Sequence, residues 1–283
     1  MRSLLLALDG SQDTGAATAA ALDLASRRRS HLAAVGIVNS EWIGRPQAVP
    51  AGAMPFRDAL EQREMASAER RVAAGMKDFE AAAARTDLSW EACALRGDPV
   101  QLLQDAATEH DAIMVAHDAC FAMDRAEGAL APCVEDLIRR EPRPVILLPR
   151  FDEGAVAWDG PALVAFDGSA SASRALHFFA ALGLGAGRTV HVVTAGPTVA
   201  QAEHTASAAC RLLSRYDCGD ARAIGVQTDG AVSKAERILD ISKAVGATTL
   251  AMGAYGRQGL RALFGSCTRR LIQDANVPIF LVH

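Results

Sequence analysis

Leu4-Leu5-Leu6-Ala7-Leu8-Asp9-Gly10-Ser11 returns 158 residues later as Ala162-Leu163-Val164-Ala165-Phe166-Asp167-Gly168-Ser169. An apolar run closed by Asp-Gly-Ser reads as a buried strand ending in a tight turn. Two further pairs keep the same order. Asp111-Ala112-Ile113-Met114-Val115-Ala116 matches Ala247-Thr248-Thr249-Leu250-Ala251-Met252 at an offset of 136, and Arg143-Pro144-Val145-Ile146-Leu147-Leu148 matches Val277-Pro278-Ile279-Phe280-Leu281-Val282 at 134. Because the offset falls along the chain, the second copy is a shortened version of the first. The surplus lies at Asn39 to Pro55, which carries Gly44, Pro46, Pro50, Gly52 and Pro55 and reads as a long irregular loop.

Within each copy, apolar runs alternate with helical patterns. In the first, strands are expected near 3–8, 32–38, 88–95, 112–116 and 144–148, with helices over 13–28, 57–85, 99–109 and 128–140. In the second, strands are expected near 161–166, 188–194, 221–226, 248–252 and 278–282, with helices over 171–184, 199–216, 232–245 and 265–274. Continuous apolar strands such as Val145-Ile146-Leu147-Leu148 are suited to burial on both faces, as in a parallel sheet covered by helices. The expected class is therefore α/β, two tandem doubly wound parallel-sheet domains. Residues 1–150 form the first, 151–160 the linker and 161–283 the second.

Composition narrows the setting. The 283 residues are half hydrophobic and 22% charged, with a net charge of −4. That excludes disorder as the main state and argues against a general nucleic-acid binder, which carries a basic face. No charge-free apolar run reaches the about 18–20 residues of a membrane helix. The five apolar residues before Asp9 are too few for a secretory leader. The six cysteines are scattered without a CxxC pair, as in a reduced, cytoplasmic protein.

In open α/β sheets, ligands bind beyond the carboxyl ends of the strands, where the strand order reverses. The Asp-Gly-Ser turns stand there, as does Gly253-Ala254-Tyr255-Gly256-Arg257-Gln258-Gly259-Leu260-Arg261-Ala262-Leu263-Phe264-Gly265-Ser266-Cys267 after the fourth strand of the second copy. Glycines let a backbone approach phosphate oxygens, and a helix amino terminus offers unpaired N–H donors. Arg257, Arg261, Arg269 and Arg270 make the neighbourhood positive. From spacing alone, a glycine-rich turn followed by a helix cap explains the stretch equally well.

The duplicated strand–Asp-Gly-Ser start, this glycine stretch and the final Val-Pro-Ile-Phe-Leu-Val strand resemble the universal stress protein family over nearly the whole chain. The resemblance implies two Rossmann-like, universal-stress-type domains and a stress-response protein that binds an adenine nucleotide: ATP, ADP or AMP, with or without Mg. It implies that Gly253, Gly256, Gly265, Ser266 and the Cys267 backbone hold the phosphates. Asp167 would lie near the ribose, Ala195 would meet adenine through its backbone, and Ala165 and Met252 would line the same site. Gly256 and Gly265 enclose eight residues where the family pattern has nine. The loop is thus one residue short of the pattern that cradles phosphate.

The first copy has His117, Cys120, Ala131 and Pro132 at the positions of Gly253, Gly256, Gly265 and Ser266. Side chains narrow the approach, and Pro132 has no N–H to donate. Residues 1–150 carry 17 basic and 22 acidic side chains, residues 151–283 carry 12 and 11. Asp124, Glu127, Glu135 and Asp136 surround the altered positions, so the first site is expected to be degenerate for nucleotide and to need no cofactor. Asp9 reads there as a cap for the following helix. His117, Asp118 and Cys120 lack a fourth ligand, so no metal site is expected. Cys120 and Cys133 read as small half-buried thiols rather than a redox pair.

No phosphate loop, nucleophile elbow or zinc-protease motif occurs, and no catalytic residue stands out. The leading reading is a regulatory binding module whose nucleotide occupancy changes the surface offered to a protein partner not identified by the sequence. A nucleotide-free scaffold is the alternative and a slow ATPase the third reading. The strands 144–148 and 278–282 are expected to pair within the chain as an internal pseudo-dimer, with a further homodimer left open.

Overall fold

The computed structural model describes residues 1–46, 48, 50, 52–126, 128–151, 155–228, 233–254 and 266–283. It divides into two compact units, Arg2–Leu137 and Ile138–His283, the second also including Met1.

In the first unit, β1 (Ser3–Leu8), β2 (His31–Val38), β3 (Trp90–Arg96) and β4 (Ala112–Ala116) lie side by side in the order β3-β2-β1-β4, all parallel. The strand order reverses between β1 and β4. β1 and β4 are buried almost throughout, as their unbroken apolar sequences require. Their helices are α1 (Thr14–Arg28), the four-residue α2 (Ser40–Ile43), α3 (Met54–Ala83), α4 (Pro99–Ala106) and the start of α5 (Pro132–Arg140). Alanines 17, 20, 21 and 25 form the buried stripe of α1, and their small side chains let the helix lie close to the sheet. Phe79 of α3 is fully buried and meets Trp90 edge-on at 6.0 Å.

The second unit contains β5 (Val145–Leu148), β6 (Ala162–Ala165), β7 (Val190–Gly196), β8 (Ala221–Gln227), β9 (Thr249–Gly253) and β10 (Ile279–Val282), in the order β5-β10-β9-β6-β7-β8. Pairing is parallel except at β5–β10, where Ile279 faces Leu147 and Leu281 faces Val145 in antiparallel register. The helices are α6 (Ala170–Ala181), α7 (Val199–Leu213), α8 (Lys234–Ala244) and α9 (Ser266–Asp274). Each described start has its signal: Ser169 caps α6, Thr198 caps α7, and Ser233 with Glu236 forms a reciprocal capping box on α8.

The division falls inside α5, whereas the sequence repeat places it at residues 151–160. The physical reason is β5. By sequence it is the last strand of the first copy, yet it pairs with β10 in antiparallel register. A second difference is α2, a single helical turn inside the stretch that reads as irregular loop. The Asn39 side chain creates it by accepting from the Trp42 amide at 3.1 Å. Among the described residues no helix is long and apolar enough to cross a membrane.

Candidate functional site

At the carboxyl edge of the second unit, β7, β6 and β9 end next to one another. Ala165 closes β6 in register with Val193 and Met252, while Ala195 lies one step from the end of β7 and Gly253 ends β9. Asp167 follows in a turn made possible by Gly168 at φ +74°. Its Oδ1 accepts from the Ser169 amide at 2.9 Å, the one hydrogen bond its carboxylate makes among the described residues, and the side chain is exposed. Ser169 Oγ then accepts from the Ala172 amide at 3.2 Å, opening α6.

Gly253 has a packing reason of its own. A Cβ there would lie 2.6 Å from both Ala172 N and Ser171 C, so β9 can pass the start of α6 only without a side chain. The glycine that reads as an approach for phosphate therefore also serves strand–helix packing. Gly256 and Gly265, with Tyr255, Arg257, Arg261 and Phe264, lie outside the described residues.

Ser266 and Cys267 open α9, Ser266 exposed and Cys267 partly buried. Burial raises the Cys267 pKa; the Lys234 charge opposes that rise and the Asp167 charge adds to it. The thiol at the start of α9 thus registers the charges of Lys234, at the start of α8, and of Asp167. Lys234 is the residue that sequence reasoning missed. Its signal was the Ser233-x-x-Glu236 box, which marks a helix start directly after a strand of the same edge. Arg270 is engaged by Asp274 at 2.5 Å, one helical turn away.

The matching edge of the first unit is closed by its own chain. Asp9 is buried; Oδ1 accepts from the Ser11 amide at 3.0 Å, and Oδ2 accepts from the Cys120 and Phe121 amides at 2.8 and 3.2 Å. The expected capping role is corrected: Asp13 holds the cap position of α1, and Asp9 binds the loop after β4 instead. Asn39 Nδ2 donates to the Phe121 carbonyl at 3.0 Å. Phe121 is thereby 2% exposed, and Phe121 and Ala122 take left-handed φ values of 47° and 62°. Gly10 sits under α3, where a Cβ would meet the Arg71 carbonyl carbon at 2.5 Å.

The other residues singled out in this copy fall around that loop. His117 is buried with Nδ1 2.9 Å from Asp118, whose carboxylate also meets Arg125 at 2.8 Å. Burial and then Asp9 raise the Cys120 pKa, and burial pushes the Cys133 thiol up to about 12. Ala131 is buried and Pro132 is the first residue of α5. Among the described residues no three histidine, cysteine or acidic side chains gather as a metal site.

Residues 160–283 match the family model described as the universal stress protein family. The family match thus falls on the second copy of the repeat. The universal stress protein Slr1230 of Synechocystis is 28% identical over 156 residues, 54% of this chain and 52% of that protein. The match therefore spans about half the length of this curated relative. A universal stress protein from Archaeoglobus fulgidus aligns over 99% of this chain and 97% of its own, with a TM-score of 0.68 and 17% identity. A functionally unknown protein from Pseudomonas aeruginosa aligns over 100% of this chain and 92% of its own, with a TM-score of 0.59 and 20% identity. At such identities the two structures establish the fold, Rossmann-like and of universal stress protein type.

Proposed function

We propose that the second unit binds an adenine nucleotide at the edge formed by β6, β7 and β9, and that occupancy of this site regulates what the protein binds in a stress response. The carrying observation is the state of Asp167: an exposed carboxylate with Oδ2 uncommitted among the described residues, whose charge acts on Cys267 in the first turn of α9. Such a carboxylate is suited to ribose hydroxyls. The Ser266 and Cys267 amides belong to the first turn of a helix, whose free N–H groups and dipole favour phosphate. Lys234 adds a positive charge beside them. Ala195 and Met252 supply backbone and apolar surface on either side of Ala165. The nucleotide brings phosphate and base; this chain supplies donors, a cation and a hydroxyl acceptor.

The first copy supplies the decisive variant. Ser266→Pro installs the residue found at 132, where proline opens α5 without disrupting it. It removes one N–H and one hydroxyl from the proposed phosphate end. Calorimetric titration of the full chain with ATP is expected to show one saturable site. Affinity should fall about tenfold or more in Ser266→Pro, the worth of a hydrogen bond to a charged group. Asp167→Ala should weaken it by a comparable factor. No saturable binding, or equal affinity in all three proteins, would overturn the reading and leave a nucleotide-free scaffold.

A further inference from the structure

The first unit has a cavity of roughly 360 Å³ that the nucleotide reading does not use. Its walls are Trp42, Ile43 and Arg45 from α2 and the residues after it, Arg57, Leu60 and Arg71 from α3, and the loop after β4 at Ala122. Most of this wall has no counterpart in the second copy. Trp42 and Arg45 belong to the surplus Asn39–Pro55 segment. Arg57 and Leu60 belong to the first turns of a 30-residue helix whose second-copy equivalent, α7, has 15 residues. The insertion thus builds a cavity while the loop at Phe121 closes the inherited position beside it. Asn39 joins the two walls, since it caps α2 through Oδ1 and holds the Phe121 carbonyl through Nδ2.

The charge arrangement identifies what fits. Arg45 lies over the Trp42 ring, its Cζ 3.8 Å from the centroid, and donates from Nη1 to the Trp42 carbonyl at 2.6 Å. Arg71 uses Nη1 on Ser67 at 2.8 Å. Glu61, Glu64 and Asp124 also line the cavity, so the lining is not simply basic. Yet Asp124 stands 4.0 Å from Arg45 and Glu61 stands 3.7 Å from Arg57, both well beyond the about 2.7–2.9 Å of a committed guanidinium–carboxylate bond. The cations are also the more enclosed partners: Arg45 and Arg57 are 35% and 23% exposed, against 93% for Asp124. Each guanidinium carries five N–H donors, so Arg45 and Arg57 with loosely held carboxylates, and Arg71 beside its Ser67 bond, leave donors for whatever enters.

We propose that this cavity is a second small-molecule site, separate from the Asp167 edge, that takes a small organic anion bearing a carboxylate or phosphate group. Arg45, Arg57 and Arg71 bind the oxyanion, and Trp42, Ile43 and Leu60 cover the carbon skeleton. The volume lies at the small end of the range for ligand pockets, which favours a compact metabolite over a cofactor.

Trp42 is the natural reporter. Titration of the full chain with citrate, and separately with glycerol 3-phosphate, is expected to give a saturable change in tryptophan fluorescence with at least one probe. The expected midpoint is on the order of 0.1–1 mM. Sodium chloride at matched ionic strength should give no such curve. Arg57→Gln and Arg71→Gln should each weaken binding about tenfold while keeping the parent's unfolding midpoint, and a variant that loses that midpoint is replaced by Arg45→Gln. Trp42→Phe should abolish the optical signal while calorimetry still detects the probe. Saturating ATP should leave the citrate and phosphate curves unchanged. The proposal is overturned if neither probe saturates, if chloride reproduces the response, or if the arginine variants bind as the parent does. Competition by ATP also overturns it, because the cavity would then be a nucleotide site.

Discussion

The Asp9-Gly10-Ser11 and Asp167-Gly168-Ser169 turns share three residues and a left-handed glycine, with φ of 71° and 74°. Both carboxylates accept the amide two residues on. From there they part. Asp9 is buried, and its second oxygen gathers two amides from a loop 111 and 112 residues away. Asp167 is exposed, and among the described residues its second oxygen takes no hydrogen bond. One carboxylate has become part of the protein's internal structure, while its twin has kept a free valence at the surface. A motif therefore assigns a turn, and the company it keeps assigns the use.

The largest test of this contrast is Asp9→Ala against Asp167→Ala in urea unfolding. Asp9→Ala strands the Cys120 and Phe121 amides in a buried place and should cost about 3 kcal/mol, whereas Asp167→Ala should stay within about 0.5 kcal/mol. Equal costs would break the comparison. Gly10→Ala should lose about 2 kcal/mol, because the residue combines a positive φ with α3 backbone at 2.5 Å.

A smaller effect separates the paired cysteines. Cys133 and Cys267 both stand second in their helices, but burial lifts Cys133 to about 12, whereas Lys234 opposes the rise at Cys267. Alkylation of the native chain at pH 8 should reach Cys267 about tenfold faster than Cys133. ATP should slow the former alone, if the Asp167 edge holds nucleotide.

The mildest effect lies at the opposite edge of the first unit. Burial lowers the His110 pKa, Glu91 opposing and the stacked His31 adding to the fall. The folded chain then takes up this proton less readily than the unfolded one. Stability should decline as pH drops below about 6.5, and His110→Gln should remove part of that decline in thermal melts between pH 7.5 and 5.5.

Much of the fold was legible because it is local. Leu4–Leu8 and Val145–Leu148 are apolar without interruption and lie within buried strands. Ser233 and Glu236 announce α8 by their spacing alone. What escaped was non-local. Nothing in Asp-Gly-Ser tells which carboxylate will meet Phe121. Nothing in a proline- and glycine-rich insertion shows that Asn39 will cap a turn and bring Trp42 over a cavity. Lys234 escaped for the same reason: its relevance comes from the first turn of another helix, more than thirty residues on.

The antiparallel pairing of β5 with β10 governs how the molecule can be cut. A fragment starting at residue 161 follows the sequence repeat but leaves Ile279–Val282, four buried apolar residues, with one bare side. Exposed edges of that kind recruit other strands, so such a fragment should aggregate or pair with itself. A fragment beginning at Ile138 keeps β5 on that side of β10. The strand that covers β10 is thus encoded in the first copy of the repeat, and any exchange of halves with a relative would have to carry it along.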